Sequence, residues 1–225
     1  VKTVCLIPVY NEEKNLPKLL PQLVALLKRE DILMVDDGSE DGSCRVATAY
    51  GIHTIRNPNN LGKGNALRSG FRWALNHGYD AVLTIDADCQ HDPESIPSMI
   101  RAVSAAEADI VVGIRTLSRE SMPLHRIVSN KLTSLVVSLL TKRRVRDTQS
   151  GFRVMRTNLL RRISLRTSKF EIESELLIRA LKRGYRVAEI PIETLYGDEE
   201  SSISGFPDTV RFILLALKSL FWFAH

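Results

Sequence analysis

Five short strand-like segments alternating with stretches of helical spacing constrain this chain more than any other feature. Thr3–Val9, apolar and too short for a helix, predicts a buried strand, and Ile32–Val35, Ile52–Ile55, Ala81–Ile85 and Ile110–Gly113 predict four further strands. Helix-start chemistry follows the first run at Asn11-Glu12-Glu13, and the pattern predicts a helix to Arg29, with Pro17 and Pro21 inside it. A second helix is predicted from Asp41 to Tyr50, stopped by Gly51, and a third from the Asn57–Gly64 loop to His77, stopped by Gly78. Asp92-Pro93-Glu94 opens a fourth with a cap, a proline at the first position and an acid in the first turn. This βαβαβαβαβ order implies a parallel sheet with helices on both faces. Ligands of such sheets bind outside the carboxyl ends of the strands.

Those ends are where the charged residues sit. Asp86-Ala87-Asp88-Cys89-Gln90 follows the fourth strand. Two carboxylates and a neutral amide oxygen suit a hard cation, Mg²⁺ or Mn²⁺, whose remaining coordination is filled by substrate phosphate. Asp36-Asp37-Gly38-Ser39 ends the second strand, and carboxylates there can accept from a base N–H or a ribose hydroxyl. Leu61-Gly62-Lys63-Gly64 opens a helix and can approach a phosphate closely. His91 reads as fixing the turn, not as a ligand.

Charge then changes sign along the chain. Residues 1–114 carry 11 Lys and Arg against 15 Asp and Glu, residues 115–169 carry 14 against 2, and residues 170–225 carry 6 against 9. A middle this basic points to an anionic partner. Nucleic acid is the poorest candidate: it leaves the acidic strand ends unexplained, and aromatics are only 6% of the chain. The three cysteines are widely spaced with no CxxC, which implies neither a zinc site nor a disulfide framework and suits a reducing compartment.

In order and spacing, Pro8-Val9-Tyr10-Asn11-Glu12, Asp36–Ser39, Leu61–Gly64 and Asp86–His91 resemble the family 2 inverting glycosyltransferases. Gly113-Ile114-Arg115, Arg126–Asn130, Asp147–Arg153 and Phe170–Glu173 are similar to the polyprenyl-phosphate branch of that family. The resemblance implies a GT-A, Rossmann-like, mostly parallel sheet. It implies a metal-dependent transfer of a sugar from a GDP- or UDP-linked donor to a polyprenyl phosphate. It assigns Pro8, Tyr10, Glu12, Val35, Asp36, Asp37, Lys63, Asp86 and Ala87 to the donor, and Asp86, Asp88 and Gln90 to the metal. Arg115, Arg126, Ser129, Arg153 and Ser202 go to the acceptor, and Asp88, Asp147, Arg115 and Arg126 to catalysis. Asp147 is left as an orienting group, a base, or a structural partner of Arg153. The segment Tyr196–Ile203 departs from the mannosyltransferases, so the sugar stays open. The resemblance divides the chain into a donor half (1–115), an acceptor half (116–205) and a C-terminal interfacial helix (206–225).

The second half is less regular. Leu124–Thr141 has apolar residues at 124, 128, 132, 135 and 139, an amphipathic helix. A loop and short strand are expected over Thr148–Arg156, a helix over Glu171–Arg183, a strand over Val187–Ile192 and a helix over Phe206–His225. The last is apolar apart from a narrow stripe of Asp208, Arg211, Lys218 and His225. With the basic segment Lys142–Arg146 it suits a membrane interface better than a bilayer core. Peripheral attachment at the cytoplasmic face is therefore expected, with room for further membrane helices beyond His225. Two competing expectations are that both helices simply pack on the sheet, and, separately, that the acceptor is a soluble saccharide.

Overall fold

The computed structural model describes residues 1–105, 107–115, 124–193 and 205–222, with side chains from Ile127 in the first helix after the second gap and from Thr209 in the last helix. Seven strands form one sheet: β1 (Thr3–Val9), β2 (Ile32–Asp36), β3 (His53–Arg56), β4 (Ala81–Thr84), β5 (Ile110–Arg115), β6 (Arg153–Arg156) and β7 (Val187–Ile192). Their spatial order is β3-β2-β1-β4-β6-β5-β7. The helices are α1 (Leu16–Leu26), α2 (Ser43–Ala49), α3 (Lys63–Asn76), α4 (Ile96–Ser104), α5 (Leu124–Thr141), α6 (Thr157–Arg162), α7 (Ile172–Lys182) and α8 (Gly205–Ser219).

β1 shows why its run is apolar throughout. Val4 and Leu6 enter one core layer with Phe71 and Leu177, while Cys5, Ile7 and Val9 enter the other with Leu19, Leu20 and Met99. A strand covered by helices on both faces has no polar side to show. β1 pairs in parallel with β2 and β4, so the chain leaves β1 in one direction along the sheet and returns on the other side. That reversal opens the crevice in which such sheets bind ligands.

Two local expectations shift. α1 begins at Leu16 because residues 11–15 form a turn around Asn11 at φ +58°, and it ends at Leu26 with Leu27 extended. α6 was not expected.

The larger departure is β6. It runs antiparallel between β4 and β5, pairing Thr84 with Arg153 on one side and Val112 with Arg153 on the other. β5 therefore keeps the direction of β4 without touching it as a ladder partner. The antiparallel insertion also brings the loop before β6, residues 147–152, to the same edge of the sheet as the carboxyl ends of β1, β2, β4 and β5. Acidic and basic halves of the sequence meet at that edge.

Candidate active site

The centre of the edge is the turn after β4. Asp86 and Asp88 are both half-buried, and Ala87 between them packs into the core. The turn is held by the Gln90 N–H donating to Asp88 Oδ1 at 3.0 Å and by Cys89 at φ +56°, rare for a side chain of this type. Asp86 Oδ1 lies 2.7 Å from Lys63 Nζ, which lies 2.6 Å from Glu173 Oε1 at the start of α7. Gly151 packs directly on the Asp86 carboxylate, where any Cβ would collide with it. The Thr84 hydroxyl donates to the Gly151 carbonyl at 2.7 Å and fixes that approach.

Electrostatics separate the two aspartates. Burial pushes the Asp86 carboxyl up, but the Lys63 ammonium outweighs it and holds the group below the usual range. Among the described residues no cation forms an ion pair with Asp88; burial, then the Asp86 charge, outweigh the Gln90 N–H and the more distant Lys63 and push it up to about 7. A carboxylate raised in this way beside a second one is the arrangement a divalent cation relieves. The two carboxylates are hard oxygen donors of the kind that fit Mg²⁺ or Mn²⁺. Among the described residues no group of three or more His, Cys, Asp and Glu forms a self-sufficient metal cage. His91 is buried, stacks on Phe152 at 5.4 Å, and is pushed down to about 4 by burial, so it is a neutral packing element of the turn.

The loops after β1 and β2 interlock. Asp36 is wholly buried and accepts from the Ser39 N–H (2.9 Å), the Ser39 hydroxyl and the Cys44 thiol (2.9 Å), with Arg56 Nε at 3.2 Å. Asp37 accepts from Asn57 Nδ2 (2.7 Å), Leu61 N (3.2 Å) and Gly62 N (2.6 Å). Ser39 and Ser43 in turn accept from the Asn11 and Glu12 N–H groups at 2.9 and 2.8 Å. Pro8 and Glu12 are half-buried at this junction and Tyr10 is exposed.

Several sequence expectations need correction. The Gly-rich loop does not hold its N–H groups out for a phosphate: Leu61 and Gly62 donate to Asp37, and Gly64 donates to the Ser168 carbonyl at 2.9 Å. The Val35 side chain belongs to the core and not to a pocket. Arg153 is not an acceptor ligand. It is buried and spends its guanidinium on the carbonyls of Ser150, Thr148 and Glu173, each at 2.7 Å. Nor does Asp147 pair with Arg153.

Asp147 pairs instead with Arg115, at the end of β5, and accepts from Asn130 Nδ2 at 2.9 Å. Burial raises its carboxyl, but Arg115 and these hydrogen bonds hold it below the usual range. Ser129 is exposed on α5. Ser202 and the Arg126 side chain lie outside the described residues. Sequence reasoning missed Asn130 and Glu173 as parts of the site. Both stood inside quoted motifs, but neither had a partner visible along the chain.

The glycosyl transferase family 2 model matches residues 4–167. The chain belongs to glycosyl transferase family 2. It is 31% identical over 217 residues to the undecaprenyl-phosphate mannosyltransferase of Micrococcus luteus, covering 91% of this chain and 88% of that one. Identity is 32% over 239 residues to the UDP-N-acetylglucosamine–dolichyl-phosphate N-acetylglucosaminyltransferase of Methanococcus voltae, covering 94% and 95%. Among solved structures, the glucosyl-3-phosphoglycerate synthase of Mycobacterium tuberculosis with Mn²⁺, UDP-glucose and phosphoglyceric acid has a TM-score of 0.76 at 18% identity, covering 97% of this chain and 79% of that one. This likeness shows the GT-A fold. The chain is thus a glycosyltransferase.

The outer surface of this family 2 enzyme carries an apolar helix face. On α5 the buried residues are Ile127, Asn130, Thr133, Ser134 and Val137, the three polar ones bonded around Asp147 and Thr148. Val128, Leu132, Leu135 and Leu139 are turned outward and are 55–70% exposed. α8 behaves differently on its two sides. Leu215 is buried and Phe212 and Trp222 pack on the core, while Ile213, Leu214, Leu217, Leu220 and Phe221 are exposed. Lys142, Arg143, Arg144 and Arg146, just beyond α5, are exposed as well. Among the described residues no helix is long and apolar enough to cross a membrane.

Proposed function

We propose that this glycosyltransferase moves a sugar from a nucleotide-sugar donor to a polyprenyl phosphate, at the cytoplasmic face of a membrane to which it is peripherally attached. The observation that carries the lipid acceptor is the outward face of α5. Its inner face, through Asn130, supports Asp147 and hence Arg115, while Val128, Leu132, Leu135 and Leu139 lie in solvent. A soluble enzyme gains nothing from several large apolar side chains left in water; each is worth roughly 1.5–3 kcal/mol when buried. The names of the Micrococcus luteus and Methanococcus voltae relatives, one a mannosyl and one an N-acetylglucosaminyl transferase to a lipid phosphate, agree with this reading. They differ in sugar, so the donor is left as GDP- or UDP-linked. The three free thiols suit a reducing compartment.

Asp86, Asp88 and Gln90 would hold Mg²⁺ or Mn²⁺. The bound cation would supply electrostatic stabilisation of the charge that builds on the departing nucleotide diphosphate. Pro8, Tyr10 and Glu12, with the Asp36–Asp37 loop that braces them, form the nucleotide side of the crevice. Arg115, held rigid by Asp147, meets the acceptor phosphate, joined by Arg126 and, through their hydroxyls, Ser129 and Ser202. A lipid phosphate is already ionised near neutral pH, its second pKa being about 6, so no strong base is needed. Asp147 accordingly positions Arg115 and does not abstract a proton.

The test uses the full chain, membranes, Mg²⁺ or Mn²⁺, and a panel of labelled sugar nucleotides. Label entering the organic phase supports the proposal and names the donor. Label found only in a water-soluble saccharide rejects the lipid acceptor and favours a soluble one.

A further inference from the structure

Lys63 opens α3 immediately after a Gly-rich loop, the usual place for a phosphate ligand, yet its ammonium is committed elsewhere. It sits 2.7 Å from Asp86 Oδ1 and 2.6 Å from Glu173 Oε1, with its side chain only 13% exposed. Glu173 is itself fixed, because its main-chain carbonyl accepts from Arg153 at 2.7 Å. On the other side of Asp86 lies Gly151, close enough that the carboxylate cannot swing that way. Gly62, at φ +95°, and Gly64 let α3 begin against the main chain of Ser168, which sets the height of Lys63 relative to α7. Three elements from distant parts of the sequence thus converge on the orientation of one carboxylate.

We propose that Lys63 is a positioning residue for the metal ligand Asp86: anchored by Glu173, it fixes one carboxylate oxygen so that Asp86 meets the cation in a single orientation. This rests on the metal reading given above. A buried Lys–Glu pair is an expensive way to join two helices, since apolar side chains of similar volume do so at no desolvation cost. What apolar side chains cannot do is hold a neighbouring carboxylate charged and aimed. Partners of metal ligands act in this way elsewhere, and their loss typically costs about 10–100-fold in metal affinity or activity.

Mn²⁺ alone, titrated into the full-length chain and followed by the electron paramagnetic resonance of the free ion, tests this without turnover. The variant is K63M/E173M, which removes both buried charges together and so avoids stranding one of them. It is expected to unfold cooperatively like the wild type and to bind Mn²⁺ about 10–100-fold more weakly. Lys63→Gln, which leaves a shorter hydrogen-bonding side chain against both carboxylates, is expected to shift Mn²⁺ affinity in the same direction and serves if the double variant does not fold. Unchanged or tighter Mn²⁺ binding in a folded variant overturns the inference and reduces Lys63 to a cross-link. So does a loss of uridine or guanosine diphosphate affinity measured in EDTA, which would make Lys63 a phosphate ligand. Wild-type protein that binds no Mn²⁺, alone or with uridine or guanosine diphosphate added, would instead overturn the metal reading, and this inference with it.

Discussion

The Arg115 guanidinium donates Nε–H to Asp147 Oδ2 at 2.8 Å and a second N–H to Oδ1 at 3.1 Å, a two-pronged pair almost closed to solvent. This geometry ties the end of β5 to the loop that precedes β6 and sets the plane of the Arg115 guanidinium. Removing one partner of a buried pair typically costs about 3–5 kcal/mol. Asp147→Asn is expected near the lower end, about 3 kcal/mol, because the amide still accepts one hydrogen bond. Urea unfolding measures it. Asp147 is held ionised throughout the neutral range, so the pH dependence of kcat in the variant should keep the shape of the wild type between pH 5 and 8. A limb lost in that interval would make Asp147 a base.

Asp88 stands under opposite pressures from stability and function. Its carboxyl is pushed up to about 7 by burial and by Asp86. Asp88→Asn removes that repulsion without changing shape, so the unfolding midpoint should stay level or rise. Turnover should fall roughly 10²–10³-fold or more, at any Mg²⁺ or Mn²⁺ concentration. A variant that keeps most of its activity in EDTA would contradict the metal site.

Glu175 provides a pH test away from the site. It accepts from the N–H groups of Arg166 and Thr167 at 2.9 and 2.8 Å and from Arg179 Nε at 2.7 Å. Burial raises its carboxyl, but the Thr167, Arg166 and Arg179 bonds outweigh it and hold the group below its ordinary range. A depressed carboxylate stabilises the fold above its unfolded pKa, about 4.3, and that contribution fades as pH falls through the folded value. Glu175→Gln should therefore be less stable than the wild type by about 2 kcal/mol at pH 7, with the gap narrowing below about pH 4. Urea midpoints across that range decide it; a gap that widens on acidification reverses the sign.

The outward face of α5 can be stripped without touching the core. A triple change of Leu132, Leu135 and Leu139 to Ser should leave the fold intact, since all three are more than half exposed. It should abolish flotation with anionic liposomes. Replacing Lys142, Arg143 and Arg144 should weaken binding chiefly at low salt, each cation contributing about 1 kcal/mol near an anionic surface. If the full chain floats on neither neutral nor anionic vesicles, peripheral attachment is wrong.

β1, β2 and β4 and their acidic ends were legible because a buried parallel strand announces itself as an unbroken apolar run, and its loop follows at once. β6 was not legible as a wedge between β4 and β5. A four-residue strand contains no local sign of its neighbours, and ladder order is decided by contacts across 41 to 75 residues. Arg153 misled for a related reason. By charge it reads as a phosphate ligand, but its three partners are main-chain carbonyls, which have no signature in side-chain identity. On α5 the apolar stripe could be read off the spacing, but which way it turned could not. Periodicity gives a face and leaves open what lies opposite; here that was settled by Asn130 and Ser134 reaching Asp147 and Thr148.

β6 contributes only Arg153–Arg156, yet β4 and β5 are joined through it. Grafting residues 116–205 from a relative would thus replace a strand in the middle of the sheet, and the graft would have to fit ladders on both flanks. The parts of the chain before and after residue 115 share one sheet. Loops at the carboxyl edge can diverge singly, but neither half can be traded as a cassette.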